Sequence, residues 1–429
     1  MLVSHRAYWE EGGRRCAGFM QLSLDEGAAM ERDCSLTTLN IVGILALYCC
    51  MSEFTILTPS VASFAAHFQN TSYTTILLAN SVTGIVSVPI SILIGAIVNR
   101  VGFRPLGIAG ILLMSLGGAF PFMLSGLTDY SFIIFSRIVV GVGLGFLFPL
   151  AGALIIAYFN GEDRGRYLGR GITLQFVFAI IYTVIAGFLT NIGWNYSFLA
   201  YLVALIPLVA VVLWLPEGKN LMNSDSKAQV EKSRMKEKIP RAVLGYALFG
   251  LIAWIATVTV QLICSSVLDV RGLGDAGMAS IVISASGVGT IISGIAFPRV
   301  LRFLKRRIFG VCSVLVIVGL IPCFYAANAA MYGIGVFLIG FGGSAFFTAA
   351  QNSTGNLSPK TRIPFINGLM TSMMNLGPFF APYIVSASAL AVPSLGISAV
   401  FPVCIAMMVA CAILGFILPF KAISKAPEK

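Results

Sequence analysis

Two residues in this chain could do chemistry, and both sit where a charge is costly. Glu53 lies inside the apolar run 38–66, and Arg137 lies inside the run 132–157. At 1.5 Å of rise per residue, a position about 15 residues into a helix falls near the middle of a hydrocarbon core about 30 Å thick. An ionisable side chain at that depth needs a partner or a water-filled cavity, and it marks an ion or proton pathway by default. Glu53 is expected to load and release a proton as access alternates between two sides. Arg137 is expected to bias that release more in one conformation than in the other. The competing reading of Glu53 is a permanently protonated or Arg-paired structural glutamate. Neutral polar residues in other apolar runs are candidate substrate contacts: Asn40, Thr58, Asn80, Gln175, Thr257, Gln261, Asn352 and Asn375. Each could equally make an interhelical hydrogen bond. Phe54, Phe148, Phe176, Phe346, Phe347 and Phe379 could line an apolar cavity.

The elements that must position these residues follow from composition. The chain is 58% hydrophobic and only 10% charged, where soluble domains carry about a quarter charged residues. Its solvent is therefore lipid. Twelve apolar stretches, from 38–66 to 397–418, meet or approach the ~20 residues that a membrane-spanning helix needs. Seven of the nine cysteines fall within these stretches without paired spacing and read as small core residues. With only His5 and His67, a His-based metal site or a Ser-His hydrolase has almost nothing to work with, and no G-x-x-x-x-G-K-[ST] loop is present. No enzyme activity, metal or cofactor is expected; a proton gradient would supply the energy.

The formal charge of +11 could signal nucleic acid, but its placement signals topology. With the first span starting inside, all but two of the 28 Lys and Arg fall in inside segments; the exceptions are Arg137 and Arg271. This obeys the positive-inside rule, so no nucleic-acid partner is needed to explain the charge. Residues 1–35 lack an apolar segment after a basic start and are expected to be a disordered cytoplasmic tail. Two six-span halves, 36–216 and 242–420, flank a charged cytoplasmic loop, 217–241, in which 228–238 could form an amphipathic helix. A cytoplasmic tail, 421–429, closes the chain. The expected address is the cell membrane, multi-pass, with both termini cytoplasmic and the protein monomeric.

The halves repeat. Gly95 and Gly294, Arg100 and Arg299, Gly141 and Gly340, Gly143 and Gly342, and Gly169 and Gly368 are all 199 positions apart. A constant offset over several spans indicates duplication, and duplicated membrane bundles place a binding cavity between the repeats near mid-membrane.

These residues also carry a resemblance. Gly95, Arg100, Gly102 and Arg104 match the G-x-L-x-D-R-x-G-R-[KR] signature of the major facilitator superfamily between spans two and three, with Asn99 in place of the acid. Ser136, Arg137, Gly141, Gly143 and Gly145 resemble its span-four motif. Glu53, Thr55 and Ile56 resemble the acid-x-Thr-Ile pattern of bacterial twelve-span drug and proton antiporters. Gly193, Trp194, Tyr196 and Phe198 resemble its turn between spans five and six, where Trp194 and Tyr196 also suit an interfacial aromatic belt. The Gly-Pro antiporter motif is missing from span five, and a similar pattern, Gly377, Pro378, Ala381 and Pro382, stands in span eleven. The resemblance implies an all-α fold of twelve transmembrane helices in two homologous halves. It further implies a gating loop of Gly95, Asn99, Arg100, Gly102, Arg104 and Arg299 that latches the halves in the outward-facing state. The expected function is export of small amphipathic organic molecules by proton antiport. The alternatives are an uptake symporter or facilitator for an organic anion with Arg137 as counter-ion, and a non-transporting membrane sensor or scaffold.

Overall fold

The structure is a computed structural model that describes residues 37–123, 126, 129–159, 161–217, 241–304, 307–357 and 363–417. The tail 1–35, the stretch 228–238 and the tail 421–429 lie outside the described residues. The first half comprises α1 (Thr38–Cys49), α2 (Val61–His67), α3 (Tyr73–Val101), α4 (Phe103–Met123), α5 (Ser131–Tyr158), α6 (Gly161–Thr190) and α7 (Leu205–Trp214). The second comprises α8 (Arg241–Leu262), α9 (Cys264–Val270), α10 (Ala276–Leu304), α11 (Ile308–Phe324), α12 (Ala329–Leu357), α13 (Ile363–Ala391) and α14 (Val400–Ile417). Among the described residues, nine helical stretches are long and apolar enough to cross a bilayer. Shorter apolar helices occupy three further expected runs.

Two runs that read as single helices are broken in the structure. Between α1 and α2 the chain passes through two 3₁₀ turns, Glu53–Thr55 and Thr58–Ser60. Pro59 cannot donate to the helical ladder, and backbone groups freed inside a membrane must find partners within the protein. Here α6 supplies them: the Ser52 hydroxyl donates to the Gln175 carbonyl at 2.9 Å, and Gln175 Nε2 donates to the Met51 carbonyl at 3.3 Å. The seventh run is also interrupted, at Ile263 between α8 and α9. The basic turn 95–105 is also shorter than the sequence implies. Gly95 and Arg100 lie within α3, and the chain reverses at Gly102, whose φ of +100° suits a residue without Cβ.

The duplicated glycines are contact points. α3 packs on α5 and α5 on α4; in the second half α10 packs on α12 and α12 on α11. A Cβ at Gly141 would stand 2.8 Å from the Thr83 carbonyl on α3, and one at Gly340 would stand 2.4 Å from the Ser286 carbonyl on α10. Gly143 and Gly342 repeat the arrangement one face over, against α4 and α11: a Cβ would lie 2.7 Å from the Gly110 carbonyl and 3.1 Å from the Cys312 carbonyl. Small residues at these crossings let backbones approach until dispersion holds the helices together in a solvent that gives no hydrophobic drive.

The halves meet at one end. Tyr73 donates to Ser266 Oγ at 2.8 Å, Ser265 to the Thr58 carbonyl at 3.0 Å, and Asn191 Nδ2 to Asp275 Oδ2 at 2.7 Å. α6 and α10 close against each other there, with a Cβ at Gly187 only 2.3 Å from Ser280 Cβ. Cβ atoms added at Gly95, Gly169 or Gly294, toward the end that carries the basic turns, would meet nothing, and so would those at Gly126, Gly272 and Gly396 toward the other end. The hydrogen bonds between the halves named above lie away from the basic turns.

Replacing Gly141 or Gly340 by Val puts a methyl-bearing carbon into backbone that cannot move away, a change that typically costs about 1–3 kcal/mol or more. Each variant should melt well below the parent when followed by size-exclusion fluorescence in detergent, whereas Gly95→Val, which adds its side chain to open space, should melt with the parent.

Candidate functional site

The break in the first run turns Glu53 out of a regular helix and into the first half. Its Oε2 accepts a hydrogen bond from the Tyr201 hydroxyl at 3.0 Å and lies 3.9 Å from Arg137 Nη1. The Thr83 hydroxyl on α3 donates to the Asn80 carbonyl at 3.4 Å. Arg137, on α5, donates through Nη1 to the Tyr201 oxygen and through Nη2 to Ser136 Oγ at 3.1 Å and the Gly118 carbonyl at 3.4 Å. Its guanidinium plane also stands 4.6 Å from the Tyr201 ring centroid and 5.5 Å from that of Phe198. Glu53 is 3% exposed and Arg137 1%. A pair so completely removed from water persists only when its remaining donors and acceptors are met, and here a tyrosine, a serine and a main-chain carbonyl meet most of them. Arg137 Nε alone has no partner.

Tyr201 is the residue that sequence reading missed. It sits in the 3₁₀ segment Trp194–Ala204 that leads into α7, and it is wholly buried. The available signal was a phenol in the middle of an apolar run, a polar group that must find a partner when buried.

A second cluster lies on the seam between the halves. A pocket there has Thr55, Phe176 and Thr183 on one wall and Trp254, Thr257 and Gln261 on the other, with α10 closing it. In this packing its cavity volume is only about 30 Å³, room for about one water and well below that of an open small-molecule site. Among the described residues no ionisable side chain lines it.

The other expected site residues divide. Gln261 lines the pocket and donates from Nε2 to Ser286 Oγ at 2.7 Å. Gln175 braces the broken first run, and Thr58 offers its carbonyl to the contact between halves. Asn80 is buried, with Nδ2 unpartnered. Asn40 lies in the first turn of α1, bonded to the capping Thr37, away from the pocket. Asn352 is half-buried near the far end of α12. The side chains of Asn375 and Asn99 lie outside the described residues. Phe176 lines the pocket, whereas Phe346 packs between Phe249 and Phe309. Trp194, half-buried, joins a ring cluster with Phe64, His67 and Phe68.

The gating-loop residues do not bridge the halves here. Arg104 donates to the Val212 carbonyl, and Phe103 N donates to the Glu217 carbonyl at 3.1 Å, both within the first half. Arg100 and Arg299 are exposed.

With the geometry in view, the comparisons decide the family. The model described as Major Facilitator Superfamily matches residues 43–302 and 242–429. The chain belongs to the Major Facilitator Superfamily. Solved structures with the same fold include a D-xylose-proton symporter, 16% identical with a TM-score of 0.71, covering 89% of this chain and 98% of that one. They also include a peptide transporter POT variant in complex with sulfate, 12% identical with a TM-score of 0.65, covering 88% and 94%. Among curated proteins, none matches the sequence. Membership makes this a multi-pass membrane protein of a transporter family and accounts for the two-half bundle. At these identities the solved structures speak for the fold alone.

Removing one partner of a buried charge pair strands the other, at a cost of roughly 3–5 kcal/mol. Arg137→Ala should therefore lower the melting temperature sharply, and Arg137→Met combined with Glu53→Gln should restore most of the loss. A double variant as unstable as the single one would show that the pair's charges are not what couples these spans.

Proposed function

We propose that this protein is a secondary active transporter that exports small amphipathic organic molecules in exchange for protons by alternating access. The observation that carries this reading is the Glu53 carboxylate, buried at a break in the first span and tied through Tyr201 to Arg137. Such a group can exist as an ion pair or, once protonated, as a neutral acid that releases the arginine. Either change alters what holds the first, fourth and sixth spans together. A bundle with two packings can use that difference to favour one over the other. Packed cores favour discrete arrangements over continuous deformation, so a local change of charge can tip the whole half.

Two further observations support details of the reading. Arg137 is wholly enclosed and turned toward Tyr201 and Gly118, which leaves it poorly placed as counter-ion for an organic anion in the seam pocket. The hydrogen bonds that join the halves lie at the end away from the basic residues. By the positive-inside rule the basic end is cytoplasmic, so opening there would let substrate enter from the cytoplasm, as export requires. Both termini would then be cytoplasmic and the protein would reside in the cell membrane, acting as a monomer. In a packing closed at the basic end, Arg100, Arg104 and Arg299 would come toward the facing half, where the gating loop would act as a latch. Asn99 would serve that latch as a hydrogen-bonding group in place of an ion pair. The sensor or scaffold reading gives no reason to bury Glu53 and Arg137 together.

The test is the pH inside proteoliposomes during addition of lipophilic cations, neutral drugs and organic anions, with wild type beside Glu53→Gln. The expected outcome is proton movement triggered by one substrate class and lost in the variant. Substrate flux without proton movement, unchanged in Glu53→Gln, would replace the antiporter by a facilitator.

A further inference from the structure

The break in the first span is held open from the other half. In a continuous α-helix the Ala62 N–H would bond the Thr58 carbonyl four residues back. Here one hydroxyl stands between them: Ser265, on α9, donates to the Thr58 carbonyl at 3.0 Å and accepts from Ala62 N at 3.4 Å. Ser265 is 2% exposed, so water does not compete for either group. A side chain inserted into the helical ladder is a known cause of a break. The same hydroxyl does for α2 what its own N-cap residue does not. Ser60 makes no capping bond. Its Oγ lies 2.7 Å from Thr190 Oγ1, whose proton goes to the Ala186 carbonyl, so Ser60 donates toward α6 instead.

The sequence favours a different start for this helix. Thr is a preferred residue just before a helix and Pro at its first position, and Thr58-Pro59 offers that pair. Yet α2 begins only at Val61, with Thr58–Ser60 as a 3₁₀ turn. Withdrawal of Ser265 would let the Ala62 N–H close on the Thr58 carbonyl and carry α2 back to Pro59. A 3₁₀ turn rises about 2.0 Å per residue and an α-helix about 1.5 Å, so three converted residues shorten the chain by about 1.5 Å. That length is taken from the segment leading to Glu53, whose bond from Tyr201 is 3.0 Å long.

We infer that Ser265 is a positioning residue that couples closure of the halves at this end to the state of Glu53. With the end closed, its hydroxyl keeps the first span broken and Glu53 beside Tyr201 and Arg137. With the end parted, Ser265 withdraws, α2 extends and Glu53 is drawn from the pair. This rests on the alternating-access reading and goes beyond it by naming the contact through which the proton carrier and the seam communicate. Such coupling is reciprocal. Whatever weakens the hold of Glu53 on Arg137 favours the extended α2, and with it the parted end.

Asn191 and Asp275, exposed and hydrogen-bonded across the halves at 2.7 Å, mark the closed end and supply the test. With both replaced by Cys in the full chain in lipid nanodiscs, the rate at which a short bifunctional thiol reagent joins them reads the closed fraction. The joined peptide is quantified by mass spectrometry. Glu53→Gln removes the charge that faces Arg137 and should slow the joining about fivefold, the weight of roughly one hydrogen bond. In Ser265→Ala that ratio should fall to near one. Ser266→Ala removes another bond between the halves, the one from Tyr73, while Ser265 keeps its contacts with Thr58 and Ala62, so there the ratio should survive. A ratio unchanged by Ser265→Ala, a ratio lost equally in Ser266→Ala, or joining unaffected by Glu53→Gln in every background would overturn the inference. Proton movement is read separately in proteoliposomes. Its absence beside the expected joining pattern would sink the exchange mechanism and leave the coupling standing, whereas proton movement lost in Glu53→Gln beside a ratio that ignores Ser265 would do the reverse.

Discussion

A carboxylate and a guanidinium held together out of water impose their geometry on everything near them. The pair survives in a lipid-solvated bundle because Tyr201 stands between the two groups, donating to one and accepting from the other, while Ser136 and Gly118 take further guanidinium protons. Those contacts require four stretches of chain to converge: the broken first span, α4, α5 and the segment before α7. The break in the first span is part of the same requirement. A regular helix through Glu53 would leave no place for the Ser52 and Gln175 contacts that brace it on α6. The interior of the first half is thus organised around one polar cluster, whereas aromatic packing of Phe249, Phe309 and Phe346 occupies part of the second.

Between the halves the chemistry is different. Neutral side chains, the Asp275 carboxylate and close helix contacts seal one end, and no charge pair locks it among the described residues. Hydrogen bonds such as Ser265 to the Thr58 carbonyl are individually modest and can be exchanged for water, which suits an interface that has to open. The glycine crossings inside each half are of another kind. They bring backbone against backbone at Gly141, Gly143, Gly340 and Gly342, and they hold each half as a body while the seam changes.

Much of this was legible in the chain. The hydropathy of the runs, the placement of Lys and Arg and the offset of 199 positions are one-dimensional properties, and they pointed to a lipid-solvated, duplicated bundle. The family match and the solved folds agree with that reading. Glu53 and Arg137 were legible for a simple reason: a charge in an apolar run is an anomaly that needs no contact map to notice. Tyr201 and Trp254 were not, because a tyrosine or a tryptophan in a membrane span is ordinary until its neighbours are known. Asn40 read as a candidate on composition alone and turned out to serve the start of a helix, bonded to Thr37. The ring contacts of Trp194 with His67 and Phe64 became visible only in the fold.

What the sequence by itself determined is the solvent of the chain, the presence of two repeats and the identity of the two charges that had to be explained, since each follows from transfer free energies residue by residue. The tertiary structure decided which groups face one another. It turned Arg137 into the half and away from the seam, placed Tyr201 between the charges and broke the first span at Glu53. Tyr201 meets Arg137 across 64 positions and Glu53 across 148 at hydrogen-bonding distance, and no local periodicity encodes such a meeting.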